Sequence, residues 1–445
     1  MAGLAHLGVR LMKNRYKVAV VGAGWAGCAA AVRLAQQGAQ VTLFEAARTL
    51  GGRARRVELE GVALDNGQHL LLGAYERCLA LMQTVGVQDN ALSRLPLQLR
   101  YADGLQLQAP RWPAPWHLLW AMLSARGLSW HDKRSLMTFM LRLQRQHWCV
   151  AAHLNVAELT QTLTHAVRQW VTDPLCISAL NTPPQEACAQ VFANVLRDSL
   201  GARREHSDML VPQVDLSTLF PDAAARFIQA RGGEVKTGCA VNGIVPSHQD
   251  FLIPETSQTF DQIILATPIS RTQDFLKNLN DERLSALLIL LEQFCYEPIT
   301  TVYLKPAQRI RLPAPLLALN SDPLCQHYAQ YVFERGDWLA LVISAARIVS
   351  GLRHDELITA VTHQLCHALN DPIQPEVARV ITEKRATYLC TPGLQRPDVS
   401  TPVPGLFLAG DYVAEPDPLT HYPATLETAV RAGERAAALA LQQCQ

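Results

Sequence analysis

The sequence predicts an α/β protein in which a Rossmann-like domain, built from discontinuous segments, carries an α+β second domain. Three observations predict it. Residues Lys17 to Glu45, reading KVAVVGAGWAGCAAAVRLAQQGAQVTLFE, form a complete β-turn-α-β unit. Far along the chain, FDQIILAT (Phe260 to Thr267) and GLFLAGDYV (Gly405 to Val413) are further buried apolar strands. Between these pieces the composition leaves sheet-and-crossover patterning twice, over Leu92 to Leu200 and over Ser270 to about Val377. The expected division is 14–75, 205–269 and 378–445 for the dinucleotide domain. Residues 76–204 and 270–377 then form a substrate domain with a helical part that is a candidate for membrane contact.

In the opening unit, Lys17 to Val21 is a strand by its length and β-branching, and Gly22, Gly24 and Gly27 supply the G-x-G-x-x-G that follows it. Gly22 allows a tight turn, Gly24 lets backbone approach a pyrophosphate, and Gly27 lets the next helix pack close to the strand. The phosphate then meets free N–H groups and the positive end of the helix dipole. The second strand, Gln40 to Glu45, ends in an acid 18 positions after Gly27. A carboxylate there can accept hydrogen bonds from both hydroxyls of an adenosine ribose, which favours FAD or NAD over NADP. An ordinary β-α turn leaves Glu45 unexplained.

Next come Gly51 and Gly52, a sharp turn, and Arg53, whose position suits a phosphate or a flavin; Arg55 and Arg56 read as solvated charge. LDNGQHLLLGAYERCLALMQTVGV gives a turn at Asp65, Asn66 and Gly67, then His69, then a helix from about Tyr75. Leu92 to Leu200, rich in tryptophan, leucine and arginine, reads as helical. Within it Pro110 to Trp130 holds four tryptophans. It suits a bilayer interface or a core helix lining a greasy pocket, and the sequence leaves both open. A break at Pro183 and Pro184 precedes an amphipathic helix. Asp222 to Gly232 is helical, and EVKTGCAVNGIV reads as a pair of short strands. Strands at Thr300 to Leu304 and Trp338 to Ala345 and helices around Leu284 to Leu291 and Glu356 to Leu369 follow. No glycine lies between Gly243 and Gly336, so a second phosphate loop has no place there. The strand ending at Gly410 and Asp411, a Pro-rich loop and the helix ATLETAVRAGERAAALALQQ put a carboxylate and more N–H groups at one sheet end, where they suit a second contact with the same cofactor.

A formal net charge of +1 argues against a nucleic-acid partner. The 11 cysteines are odd in number and never spaced C-x-x-C, so they read as reduced core residues of a cytosolic protein, against disulfides, zinc or an iron–sulfur cluster. The N-terminal MAGLAHLGVRLMKNRYK has no h-region long enough for secretion, and no run reaches the ~18 apolar residues of a membrane span. The expectation is a cytoplasmic protein, soluble or peripheral on the inner face of the membrane.

VVGAGWAGCAAA, VTLFEA, GGRA, GLFLAGDYV and ATLETAVRAGERAA together resemble the FAD-dependent amine-oxidase and phytoene-desaturase superfamily. LDNGQHLLLGAY, SALNTPPQEACAQVFANVLRDSL and SDMLVPQVDLSTLFPDAAARFIQARGG resemble its bacterial squalene-associated branch, the hydroxysqualene dehydroxylases. The resemblance implies an amine-oxidase-type flavoprotein fold. It implies FAD held by Gly22, Gly24, Trp25, Ala26 and Gly27, with Glu45 on the ribose and Gly52 and Arg53 near the pyrophosphate and flavin. Val241 would meet the adenine, Gly410 and Asp411 the ribityl-pyrophosphate, and Thr425 and Leu426 the flavin end. Gly67, Gln68 and His69 would lie beside the isoalloxazine. The C-terminal motif has no cysteine where some amine oxidases attach flavin, so dissociable FAD is expected.

The implied reaction replaces the allylic hydroxyl of hydroxysqualene by hydrogen, with reduced flavin as electron source. It needs a long, dry, apolar cavity and one acid. His69 is the first choice for the acid, because imidazole titrates near neutrality; His421 and Asp417 are the second. A structural His69 bonded to a backbone carbonyl is equally compatible with the sequence. Without a second dinucleotide loop, electrons would come from a separate reductase or from NAD(P)H bound without the usual motif. The rival enzyme readings are a carotenoid desaturase and an amine oxidase, although no pair of aromatics announces an amine cage. The non-enzyme reading is a flavoprotein scaffold for prenyl synthases.

Overall fold

A computed structural model describes residues 16–102, 104–247, 250–417 and 420–443. Residues 14, 15, 248, 249, 418, 419, 444 and 445 of the expected dinucleotide domain and most of the N-terminal segment read for secretion lie outside them. Five short strands form a parallel sheet in the order Glu234–Thr237, Gln40–Glu45, Lys17–Val21, Gln262–Leu265, Leu406–Leu408. The inner strands are buried along almost their whole length, which is why they read as continuous apolar runs. Val20 pairs with Leu43 on one side and Ile264 on the other, and Ile264 pairs with Phe407. Strands distant in sequence thus bring Glu45 and Asp411 to the carboxyl end of one sheet. The alanine-rich helix Trp25–Gln36 lies between this sheet and the closing helix Leu426–Gln442, so small side chains are needed on nearly every face.

The second sheet is antiparallel, in the order Leu316–Ala318, Tyr331–Arg335, Trp338–Ile343, Tyr296–Pro306, Pro375–Tyr388. Its strands alternate faces with period two. Val302, Leu304, Leu341 and Ile343 pack with Leu365 of the helix His354–Leu369. Tyr303, Phe333, Trp338 and Ala340 turn the other way, onto Leu64 and Met209. Tyr303 also donates its hydroxyl to the Asp65 carbonyl at 2.8 Å. The second sheet is therefore fastened to the segment leading to His69.

Several expectations change. The segment after Leu92 does not begin as helix: Leu92–Leu95 pairs with Met209–Pro212, and Gln98–Arg100 with Gln106–Gln108. Here Leu95, Leu97 and Leu99 recur at period two and Leu107 lies between two glutamines, a strand pattern short enough to be hidden beside the helices that follow. EVKTGCAVNGIV holds one whole strand, Glu234–Thr237, and only the first residue of a second, Val245–Ser247; between them the chain is irregular, because the Gly238 and Cys239 N–H groups turn to the carbonyls of Ala47 and Glu45. The run from Phe260 is divided between two sheets: Gln258–Phe260 closes a three-stranded antiparallel sheet and Gln262–Leu265 joins the parallel one. The cysteines are not all core: Cys149, Cys295 and Cys325 are exposed. The core-helix reading of Pro110 to Trp130 is overturned too. On the helix Trp116–Ser124, His117 and Ala121 face inward, while Trp112, Trp116, Trp120 and Trp130 are 47%, 60%, 48% and 72% exposed.

Candidate functional site

Gly22 turns the chain out of the first strand at φ +102°. The helix that follows begins at Gly24 with no side-chain cap and no acid in its first turn, so its leading N–H groups face outward as donors. A Cβ placed on Gly24 would meet nothing nearer than the Gly52 Cα, at 3.8 Å. That leaves room for an anion over the backbone. Trp25 and Ala26 are buried, and the Trp25 indole donates inward to the Ala54 carbonyl at 3.3 Å, so these two residues offer backbone only. The Glu45 carboxylate is oriented by the N–H groups of Ala23 at 2.8 Å and Ala47 at 2.9 Å. Each of its oxygens keeps a lone pair for a further donor. Gly51 donates to the Ala23 carbonyl at 2.9 Å, which lays the Gly51 and Gly52 turn against the first.

Arg53 joins this turn to the C-terminal motif. Its Nη2 lies 2.7 Å from Asp411 Oδ1, and its Nη1 donates to the Ala386 carbonyl at 2.7 Å. Asn66 donates to the Arg53 carbonyl and to Glu383, both at 3.1 Å. Arg396 holds the loop after Gly410: it donates to the carbonyls of Asp411 at 2.8 Å, Tyr412 at 3.2 Å, Val413 at 2.5 Å and Tyr422 at 2.8 Å. Thr425 caps the closing helix by accepting the Thr428 N–H at 3.2 Å, and Leu426 begins that helix. Val241 is buried, with its carbonyl accepting from Arg271 at 3.0 Å.

The loop Asp65 to His69 lies between two arginines. Arg335, from the second sheet, donates to Gln68 Oε1 at 3.0 Å and faces Asp65 Oδ2 at 3.4 Å. Burial pushes the Asp65 carboxyl up to about 6, against the opposing pull of the Leu216 N–H and Arg335. Burial, with Arg53 and Arg335, pushes the His69 imidazole down to about 4. This corrects the reason for choosing His69 as the acid: at neutral pH its ring is uncharged, and a neutral imidazole is a hydrogen-bonding group rather than a standing proton donor. His421 is shifted down by burial and by Arg396, and its Nε2 lies 3.3 Å from the Glu415 carbonyl. Asp417 is exposed, and its carbonyl accepts the Thr420 N–H at 2.8 Å. Among the described residues no group of three or more His, Cys, Asp or Glu could hold a metal ion.

The profile of the flavin containing amine oxidoreductases matches residues 25–441. The chain belongs to that family. This flavin oxidoreductase is 27% identical to a hydroxysqualene dehydroxylase of Zymomonas mobilis over 95% of its own length and 98% of that protein's. It is 25% identical to a 15-cis-phytoene desaturase of Synechococcus elongatus, covering 94% of each chain. Its fold matches the cyclohexylamine oxidase of Brevibacterium oxydans with a TM-score of 0.69, at 17% identity, over 97% of this chain and 99% of that one.

FAD is the cofactor of this oxidoreductase, and the residues present fit it. The uncapped helix start and the open space over Gly24 suit a pyrophosphate, and Gln68 Nε2 is buried with no partner of its own. Arg335 and Arg396 escape sequence reasoning, because a lone arginine outside any motif gives no signal until the chain folds around it.

Proposed function

We propose that this flavoenzyme converts hydroxysqualene to squalene, and that its FAD is dissociable. The observation that carries the reading is the likeness to the Zymomonas mobilis hydroxysqualene dehydroxylase over 98% of that protein's length. The reaction breaks one C–O bond and forms one C–H bond, and the hydroxyl leaves as water with one added proton. FAD in its reduced form supplies the hydride when bound. On this reading the domain division is that expected from the sequence. Gly22, Gly24, Gly27 and Gly52 receive the pyrophosphate, Glu45 the ribose and Val241 the adenine. Arg53, Gly410 and Asp411 flank the ribityl chain, and Thr425 and Leu426 the flavin end. Gly67, Gln68 and His69 form the wall beside the ring, where neutral His69 orients the substrate hydroxyl by a hydrogen bond.

Under anaerobic conditions, photoreduced holoenzyme mixed with hydroxysqualene is expected to regain its oxidised flavin absorption with one squalene formed per flavin. NADPH without a separate reductase is expected to sustain only slow turnover. Bleaching of oxidised holoenzyme by a phytoene-type polyene, with no response to hydroxysqualene, would assign desaturation instead.

We also propose that the exposed tryptophans seat the protein on a bilayer, from which a long isoprenoid can enter. Trp116, Trp120 and Leu123 recur at spacings of four and three residues on one face of the helix Trp116–Ser124, and the Trp112 ring packs against Trp120 with 5.2 Å between centroids. Exposed Arg111, Arg126 and Arg134 lie close by in the chain and suit anionic headgroups. Among the described residues no helix is long and apolar enough to cross a membrane. Replacing Trp112, Trp116 and Trp120 together by Ser is expected to cut co-sedimentation with phosphatidylglycerol vesicles by about tenfold or more, with FAD retained. Sedimentation equal to that of the wild type would remove this face from consideration.

A further inference from the structure

Arg335 ends the strand Tyr331–Arg335, and its guanidinium reaches three residues in two segments outside the second sheet. Nε donates to Gln68 Oε1 at 3.0 Å, Nη1 donates to the Pro212 carbonyl at 2.5 Å, and Nη2 faces Asp65 Oδ2 at 3.4 Å. A guanidinium has donors only, so it can receive the Gln68 amide only through the oxygen. The amide cannot flip without setting N–H against N–H. Gln68 Nε2 is therefore held facing away from Arg335, and there it is buried with no partner in the protein. A buried donor with no acceptor costs stability, and such groups are characteristic of sites that something else completes. The next residue is His69, which lies in the field of both Arg53 and Arg335, and Arg53 is paired with Asp411. The unpaired donor thus belongs to the loop between the two arginines that border the candidate flavin site.

We propose that Arg335 is a positioning residue for the cofactor: it fixes the Gln68 amide so that Nε2 donates a hydrogen bond to an acceptor atom on the edge of the bound isoalloxazine. The inference rests on FAD, not on the identity of the isoprenoid, so it survives or fails separately from the hydroxysqualene reading. Negative charge on the flavin's acceptor edge grows on reduction, so a fixed donor there stabilises the reduced form more than the oxidised one. Removing the donor makes the flavin harder to reduce.

The test is the midpoint potential of purified holoenzyme, measured by equilibration with a reference dye. Gln68→Leu is expected to shift the reduction equilibrium about tenfold towards oxidised flavin, which is about 30 mV for a two-electron couple. Arg335→Met is expected to shift it in the same direction by a similar factor. The double variant is expected to go no further than Gln68→Leu alone, because both changes remove one contact. Arg335→Lys, which keeps a donor facing Oε1, is expected to recover part of the shift. An unchanged potential in Gln68→Leu with FAD bound would overturn the proposal. So would an additive double variant, which would make Arg335 act by charge alone. Should Arg335→Met not fold, Gln68→Leu and Arg335→Lys decide: no shift in the first, or a wild-type potential in the second, refutes it.

Discussion

Gly27→Ala is expected to abolish detectable FAD binding and to destabilise the apoprotein by about 3 kcal/mol or more, at the upper end of what overpacking costs. A Cβ at this position would lie 1.8 Å from the Gly22 carbonyl oxygen and 3.1 Å from Ala266 Cβ. Neither neighbour can yield. The first is backbone in the turn itself, and the second is anchored by the bond from the Ala266 N–H to the Val21 carbonyl at 2.8 Å. The helix would have to move off the strand, taking its N–H groups with it. Gly24→Ala separates the two effects. Its Cβ meets no protein atom closer than 3.8 Å, so the apoprotein should unfold at the wild-type urea midpoint. The methyl would nevertheless occupy the space expected for a phosphate, and FAD affinity should fall about 100-fold, or about 2.7 kcal/mol. Gly243→Ala, with nothing within 4 Å, serves as the neutral control. Fluorescence titration with FAD and urea melts of the apoproteins check all three. A Gly27→Ala protein with wild-type affinity would mean that helix and strand are not in contact as described.

These glycines were legible in the sequence because their job is local. The strand, the turn and the first helical residue lie within Lys17 to Gly27, and the spacing alone constrains them. Glu45 was legible for the same reason. Asp411 was legible as an acid at the end of an apolar strand, but its pairing with Arg53 was not, since the two meet only when the first and last strands enter one sheet. The titration of His69 was hidden for a related cause. An imidazole in isolation titrates near neutrality, and what moves it here is burial together with two arginines, Arg53 and Arg335, the second far away in the chain. The tryptophan helix shows a different limit. Trp116 to Ser124 is apolar on nearly all sides, so its pattern could not say which face is covered; burial of His117 and Ala121 decides that. The short strands between Leu92 and Gln108 were lost because four-residue alternation is weak evidence against the helical composition that follows.

Arg396→Met is expected to lower stability by about 3 kcal/mol and to weaken FAD binding with it, because removing a charged donor from part-buried acceptors leaves the acceptors unmatched. The described part of the chain between Gly410 and Thr425 lies between the last strand and the last helix and belongs to neither. Its carbonyls cannot be satisfied by a ladder or by helical turns, and such groups must find donors elsewhere when water is excluded. One guanidinium serves the carbonyls of Asp411, Tyr412, Val413 and Tyr422, at 2.5 to 3.2 Å. It also lies over the Tyr388 ring, with 5.4 Å between its central carbon and the ring centroid. Arg396→Lys should recover less than half of the loss, since one ammonium cannot reproduce a planar fork that reaches carbonyls on two sides of the loop. Arg353→Met gives the comparison: its partners Asp355 and Glu356 are neighbours in an exposed turn, and such pairs contribute about 0.5 kcal/mol or less. Urea melts of the apoproteins, followed by FAD titration, distinguish the two cases. If Arg396→Met melted like Arg353→Met, the Gly410 to Tyr422 loop would be held by its other contacts, the Arg53 and Asp411 pair, Arg435 on the Ala414 carbonyl at 2.6 Å and Asn194 on the His421 carbonyl at 2.8 Å.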